Sequence, residues 1–268
     1  MRINTNLNAM IATNQMSKNT ALAGSSMEKL STGLRITKAG DDAAGLAVSE
    51  KMRAQIRGME QAERNVQDGI SMVQTAEGAL EEAGNIAQRM RELGVQAGND
   101  TLSAEDRTKV KEELTQLQDE MKKISEETKF NGKQLLNTAG TFTIQAGANS
   151  ETRTITTADL SSIANGLSTI TISSSSQAQS FVENVDKALT SINDARSALG
   201  AMQNRLEYTA NNLTTSTENL TAAESRIRDV DVAKEMVTLS KLNILNQASQ
   251  AMVSQAKQQP ESVSQLLR

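Results

Sequence analysis

The sequence predicts a mainly α-helical protein, a long antiparallel helical rod or coiled coil with a small β-hairpin region in its middle. Three observations carry this. Apolar residues recur in alternating steps of three and four over long stretches on both sides of the middle. Only one proline, Pro260, stands in 268 residues, so long helices can run uninterrupted. The aromatic content is three Phe, one Tyr and no Trp. The apolar material is therefore Ala, Leu, Ile, Val and Met, which fills helix seams well and the centre of a large globule poorly.

From the N-terminus, Ile3 to Ser17 carries no charge, and neither does Leu242 to Ala256 near the other end. In the second stretch and just before it, Val237, Ile244, Ala248 and Ala251 lie at helical spacing. Met236, Leu239, Leu245 and Met252 form a neighbouring stripe. A helix apolar on more than one side needs partners on several faces. At a chain end it cannot find them all within one subunit.

The first heptad segment begins after Gly40, where Asp41 or Asp42 can cap a helix. Its seam reads Met59, Ala62, Val66, Gly69, Val73, Ala76, Leu80, Ala83, Ala87, Met90, Gly94, Ala97. That is the 3.5-residue period of a coiled coil, and its Ala and Gly members permit close helix approach. Gly98-Asn99 ends it. The second segment opens on Ser103-Ala104-Glu105-Asp106, a capping box with Asp in the place of Glu. It continues Val110, Leu114, Leu117, Met121, Ile124 and stops before an Asn131-Gly132 turn.

Residues 138–176 change character. Thr141–Ile144, Thr152–Thr156 and Thr169–Ile172 alternate apolar and polar and read as strands; Asn165-Gly166 reads as a turn and Ser173–Ser176 as a loop. The third heptad segment follows: Phe181, Val185, Ala188, Ile192, Ala195, Leu199, Met202, Leu206, Thr209, Leu213, Ser216, Leu220, Ala223, Ile227, Val230. As one helix it would be roughly 75 Å long at 1.5 Å per residue.

The formal net charge is −4. With no basic patch and few aromatics to stack on bases, nucleic acid is not an expected partner. Without His or Cys, a Ser nucleophile lacks its usual base and a soft-metal site lacks its ligands, so no enzyme activity and no cofactor are expected. Asp41-Asp42 offers no oxygen array for a cation. Met1 to Asn6 has no apolar h-region, and no 18-residue apolar run occurs, so neither a standard secretory signal nor a membrane span is expected.

Several runs are more specific. They are Leu30-Ser31-Thr32-Gly33-Leu34-Arg35-Ile36, Ala39-Gly40-Asp41-Asp42-Ala43-Ala44-Gly45-Leu46-Ala47, Gln67-Asp68-Gly69-Ile70-Ser71 and Gln74-Thr75-Ala76-Glu77-Gly78-Ala79-Leu80. The second half carries Glu218-Asn219-Leu220-Thr221-Ala222-Ala223-Glu224-Ser225-Arg226-Ile227-Arg228-Asp229-Val230-Asp231, and the chain closes Leu266-Leu267-Arg268. In these runs the sequence resembles the bacterial flagellins over residues 1–137 and 180–268, as a short form lacking large outer domains.

The resemblance implies a structural subunit, exported by the flagellar type III apparatus without a cleaved signal, that polymerises into an extracellular filament for swimming. The terminal helices would pair as a coiled coil in that polymer. It implies residues 1–42 as the N-terminal part of an inner filament-core domain and residues 43–137 as the N-terminal helical part of a rod domain. Residues 138–176 would be the rod's β-hairpin excursion, 177–228 its C-terminal helix, and 229–268 the C-terminal part of the core domain. The expected polymerisation residues are Ile3, Leu7, Met10, Ile11, Val237, Ile244, Leu245, Ala248, Ala251 and Met252. Expected partners are the chain itself, an export chaperone on roughly Val230 to Arg268, and the hook-associated junction and cap proteins. The host flagellin-sensing Toll-like receptor is also expected, meeting Gln88, Arg89, Leu93, Gln96 and Glu113. By helical geometry Arg89, Leu93 and Gln96 form a stripe rotated off the Ala83–Ala87–Met90–Gly94 seam and open to an outside partner. A hook–filament junction protein is the neighbouring alternative, disfavoured by the match through both halves. A chemoreceptor signalling hairpin would need a membrane span or sensor domain that the sequence lacks.

Overall fold

The computed structural model describes residues 6–168 and 171–266, with side chains up to Gln258. In order these form α1 (Leu7–Thr32), α2 (Ala43–Ala97), α3 (Ala104–Glu127), β1 (Lys129–Phe130), β2 (Lys133–Gln134), β3 (Thr141–Gln145), β4 (Thr152–Thr156), α4 (Leu160–Gly166), α5 (Ser175–Arg228) and α6 (Val232–Leu266). The chain divides into two compact units, Met1–Ala54 with Asn219–Arg268, and Gln55–Glu218. The division falls inside α2 and α5, so each of these helices contributes to both units.

In the second unit the heptad reading of α2 holds throughout: all twelve seam residues from Met59 to Ala97 are buried. Opposite them α5 buries Phe181, Val185, Ala188, Ile192, Leu199, Leu206 and Leu213. The two helices run antiparallel. Phe181 and Val182 lie against Gly94, Ile192 against Gly84 and Leu206 against Gly69, so residue numbers fall on α5 as they rise towards the C-terminal end of α2. Polar contacts keep the same register: Arg91 Nε–Asp186 at 2.6 Å, Arg196 with Glu81 at 3.9 Å, and Thr214 Oγ1 to Glu63 at 3.3 Å. At Gly94 a Cβ would stand 2.8 Å from Val182, so glycine there sets the closeness of the pair.

α3 starts at the expected capping box, with Ser103 Oγ accepting from Asp106 N and the Asp106 carboxylate accepting from Ser103 N. The Ser103 hydroxyl, which donates to that carboxylate at 2.7 Å, and then the Ser103 N–H hold the Asp106 carboxyl below its ordinary pKa. The buried stripe of α3 is Val110, Leu114, Gln118, Met121 and Ser125. Leu117 and Ile124, expected in that stripe, are only half-buried. Gln118 takes the inner place because its amide donates to the Ala164 carbonyl at 3.1 Å, joining α3 to α4.

Asn131-Gly132 forms the turn as expected, with φ of 49° and 77°. Both residues occupy the left-handed region, the requirement of a two-residue hairpin turn, so the short strands β1 and β2 pair across it. The main hairpin pairs β3 with β4 antiparallel in the register Phe142↔Ile155 and Ile144↔Arg153. Its Thr residues face outward while Ile155 is buried. Gly69 lets this hairpin approach α2, because a side chain there would collide with Ile144.

The middle differs from expectation beyond β4. Residues 160–166 form α4, capped by Asp159 Oδ1 accepting from Ser162 N at 2.8 Å, and Asn165-Gly166 is the end of that helix rather than a free turn. Leu160, Ala164 and Leu167 are buried at helical spacing against α3. The expected third strand falls partly on residues 169 and 170, outside the described residues; Thr171 and Ile172 have no strand partner among the described residues. Ser175 and Ser176, read as loop, already belong to α5, which ends at Arg228, so Val230 lies beyond it.

Candidate assembly surface

In the first unit α1 packs against α6. α1 begins at Asn6, whose side chain accepts from Ala9 N and also donates to the Ala256 carbonyl at 2.6 Å. The two helices run antiparallel, since Thr20, further along α1, reaches Asn246, further back on α6. Buried positions recur every seven residues: Ala12, Asn19 and Ser26 on α1, and Leu242, Ser249 and Ala256 on α6. Half-buried Ala9, Met16, Ala23 and Leu30, and on the partner helix Leu239, Asn246 and Val253, complete the three-four alternation. This is a coiled-coil seam made largely of small and polar side chains.

Met16, Leu30, Leu239, Leu242 and Val253 belong to the seam, but most apolar side chains of the two helices lie outside it. Leu7, Met10, Ile11, Val237, Ile244, Leu245, Ala248, Ala251 and Met252 are all exposed, Ile11 at 58% and Ile244 at 63%. Ile3 lies outside the described residues. Leu22, Met27, Val232 and Met236 join this outward face, and the sequence reading did not place the first three there. A groove of about 370 Å³ between the two helices is lined by Ile11, Ala12, Gln15 and Met252 among others, so it opens the same apolar face inward. Ordinary helices bury their large apolar residues and expose small polar ones. This pair buries Leu242 but leaves most of its large apolar residues exposed. Exposed large apolar side chains in this number mark an interaction surface.

The specific sequence runs converge at the other end of the pair. Gly33, at φ 71°, ends α1, and its carbonyl accepts from Val230 N at 3.0 Å. Arg35 N donates to the Arg228 carbonyl at 2.6 Å, and its guanidinium donates to the Ile227 carbonyl. Leu34 bridges Asp229, and Ile36 is buried. Residues almost two hundred positions apart thus tie the α1–α2 connection to the α5–α6 connection. Of the two candidate caps, Asp42 caps α2 by accepting from Gly45 N at 2.9 Å. Asp41 instead accepts from the Lys38 and Thr37 backbone and the Thr37 hydroxyl, which holds its carboxyl below the ordinary range. Arg228 also binds Glu50 at 2.6 Å, and this hydrogen bond lowers the Glu50 pKa. These runs build a joint; the Arg35, Glu50 and Arg228 contacts were not legible in them.

In the second unit Gln88, Arg89, Gln96 and Glu113 are exposed. Arg89 binds Glu113 at 2.9 Å and Glu92 at 3.1 Å, so α2 and α3 bring the first pair together. Those bonds, Glu113's foremost, raise the Arg89 pKa. Leu93 is 2% exposed. The stripe expected to be open to an outside partner is therefore closed at Leu93, because this side of α2 is the one that α3 folds back over.

The chain is similar to known proteins. The model for the bacterial flagellin N-terminal helical region matches residues 3–141, and that for the C-terminal helical region matches residues 182–267. The chain is 54% identical to a flagellin of Halalkalibacterium halodurans and 47% identical to one of Bacillus subtilis, over the whole of both chains in each case. It is 45% identical, again over both full lengths, to a flagellar filament 33 kDa core protein of Treponema phagedenis. Among solved structures, a Bacillus cereus flagellin aligns with TM-score 0.51 and 36% identity, covering 60% of this chain and 94% of that one. A putative flagellar hook-associated protein from Vibrio parahaemolyticus aligns with TM-score 0.58 over 70% of this chain and all of that one. Its 12% identity makes this a likeness of fold alone.

Proposed function

Because the chain belongs to the bacterial flagellin family, whose members are structural proteins and not enzymes, we propose that it polymerises into the extracellular flagellar filament through the outward face of α1 and α6. One observation carries the choice of surface. The α1–α6 pair spends its small and polar residues on its own seam and leaves Leu7, Met10, Ile11, Ile244, Leu245 and Met252 exposed. A helical polymer needs a head-to-tail contact that does not close on itself, and burying this face between copies supplies it. Each square ångström of apolar surface removed from water contributes about 25 cal/mol, an upper bound for association. Residues 1–42 and 229–268 then form the inner filament core, and residues 43–228 the surrounding helical domain with its hairpin.

The same face serves the export and filament-end partners, and a separate surface of α2 and α3 serves the receptor. An export chaperone covers Val230 to Arg268 before the chain leaves the cell by type III export. The hook-associated junction and cap proteins meet the filament's two ends through it. A host flagellin-sensing Toll-like receptor reads Gln88, Arg89, Gln96 and Glu113 on the monomer, with Leu93 supporting the surface from beneath. Removal of Leu242 to Arg268 tests the central reading. The shortened chain should remain soluble and helical and form no filaments in salt, seen by electron microscopy. Filaments of ordinary stability from that chain would sink it.

A further inference from the structure

The chain contains twelve methionines and no cysteine, so oxidation of sulfur can fall only on methionine. The structure sorts these residues by place. Met59, Met72, Met90 and Met121, on α2 and α3, are at most 8% exposed. Met16, Met52 and Met202 are half-buried, and Met1 lies outside the described residues. Met10, Met27, Met236 and Met252 are 52%, 57%, 54% and 61% exposed, and all four stand on α1 and α6. Met10 and Met252 lie towards the end of the pair where Asn6 meets Ala256, and Met27 and Met236 towards the end where Gly33 meets Val230. We propose that these four methionines are a peroxide-sensitive modification site, at which conversion to the sulfoxide blocks the assembly of the soluble chain. The inference rests on the reading that the outward face of α1 and α6 is buried between copies in the filament.

The chemistry needs only a peroxide. The thioether sulfur attacks one peroxide oxygen, and an S–O bond forms as the O–O bond breaks. The departing hydroxide takes the proton of the transferred oxygen and leaves as water. Sulfur gives up two electrons and the peroxide accepts them. The product turns a flexible apolar side chain into a polar one whose oxygen accepts hydrogen bonds. In the single chain that oxygen points into water, so the fold is little affected. Against the apolar face of another copy it must give up its water, and a buried acceptor without a donor is penalised. Oxidation at these positions therefore acts on association and not on folding. In the filament the same sulfurs are covered. A peroxide then stops the addition of new subunits and leaves the existing polymer intact, because of where the exposed methionines stand.

Hydrogen peroxide is the probe. The full chain is treated as soluble monomer and as filament, quenched, and the sulfoxide at each methionine is measured by peptide mass spectrometry. In the soluble chain Met10, Met27, Met236 and Met252 should oxidise well ahead of Met59, Met72, Met90 and Met121, and in the filament they should be protected. The oxidised soluble chain should keep its helicity by circular dichroism while its critical concentration rises by about tenfold or more. The combined variant Met10→Leu, Met27→Leu, Met236→Leu and Met252→Leu keeps the apolar bulk and removes the oxidisable sulfur, so peroxide should leave its critical concentration unchanged. If that variant does not polymerise untreated, methionine sulfoxide reductases for both epimers, given to the oxidised native chain, decide the matter: regained assembly supports the site, and none overturns it. The proposal is also overturned by equal oxidation of all methionines in the soluble chain, by an oxidised chain that loses its helicity or polymerises at an unchanged critical concentration, or by a leucine variant that loses as much as the native chain. Oxidation of the four as fast in the filament as in the soluble chain would instead overturn the reading of this face as the polymer contact.

Discussion

The outward apolar face makes a quantitative demand. Ile11 and Ile244 are 58% and 63% exposed in the single chain, so their side chains contribute little to its folding. Fully burying an isoleucine is worth about 1.5–3 kcal/mol, so covering the remaining surface of each in the polymer contributes about 1–2 kcal/mol. Serine has nearly the helix propensity of isoleucine, which makes Ile11→Ser with Ile244→Ser a test of association rather than of helix formation. The expected loss is about 2–4 kcal/mol per subunit added. Each 1.4 kcal/mol is tenfold in an equilibrium constant, so the critical concentration for polymerisation should rise by about 30-fold to several hundredfold. Sedimentation of filaments against soluble chain measures it. The thermal midpoint of the soluble chain should move by no more than a surface substitution does, about 0.5 kcal/mol in equivalent stability. An unchanged critical concentration, or a loss of folding stability as large as the loss of assembly, would refute the reasoning.

Three further outcomes are expected. Ala83 is fully buried in the α2–α5 seam, so Ala83→Val should cost about 1–3 kcal/mol by overpacking and shift the filament towards a straight or differently coiled waveform; a panel of seam substitutions that leaves dark-field waveforms unchanged would count against seam repacking as the switch. Arg89→Ala should weaken receptor binding by about one to a few kcal/mol, read as reduced monomer potency in reporter cells. Helicity should hold, because the Arg89–Glu113 pair is exposed; wild-type potency would remove Arg89 from the receptor surface. The Glu50 carboxyl is held below its ordinary pKa chiefly by Arg228. Its contribution is therefore present above about pH 4.3 and is lost as pH falls through its depressed folded value. Thermal midpoints recorded from pH 7 to pH 3 should fall less steeply in Glu50→Gln, and superimposable slopes would show that this ion pair contributes nothing.

Much of the architecture was legible because one pattern had one solution. In α2 every third or fourth residue from Met59 to Ala97 is small or apolar and most of those between are polar, so one continuous face could be buried, and it is. The alternation of Thr with Phe142, Ile144 and Ile155 likewise admitted only a strand pair with its Thr face outward. The runs that resemble flagellin identified the family without any geometry, since identity of sequence is a property of the chain alone. Where two periods competed, the pattern did not decide. Leu160, Ala164 and Leu167 carry a helical spacing inside a segment that read as strands and turns. The Asp159 cap and the Gln118 bond, a contact 46 positions away, settle it as α4.

The end helices show the deeper limit. α6 is apolar around much of its circumference, so Val237–Ile244–Ala248–Ala251 and Leu239–Leu242–Asn246–Ser249 are both acceptable stripes by spacing. Only the partner decides between them. α1 presents Ala12, Asn19 and Ser26, small enough for close approach, and the α6 stripe with Leu239 and Leu242 turns inward while Val237, Ile244, Ala248 and Ala251 are left outside. Leu93 was hidden for a related reason. Its rotation about α2 follows from its position in the chain, but α3 returns over that side, and no residue near Leu93 records it. Periodicity, capping and family were properties of the sequence by itself, because each depends on residues close along the chain. Which face is seam and which is free depended on what another segment brings against it, and only the tertiary structure could decide that.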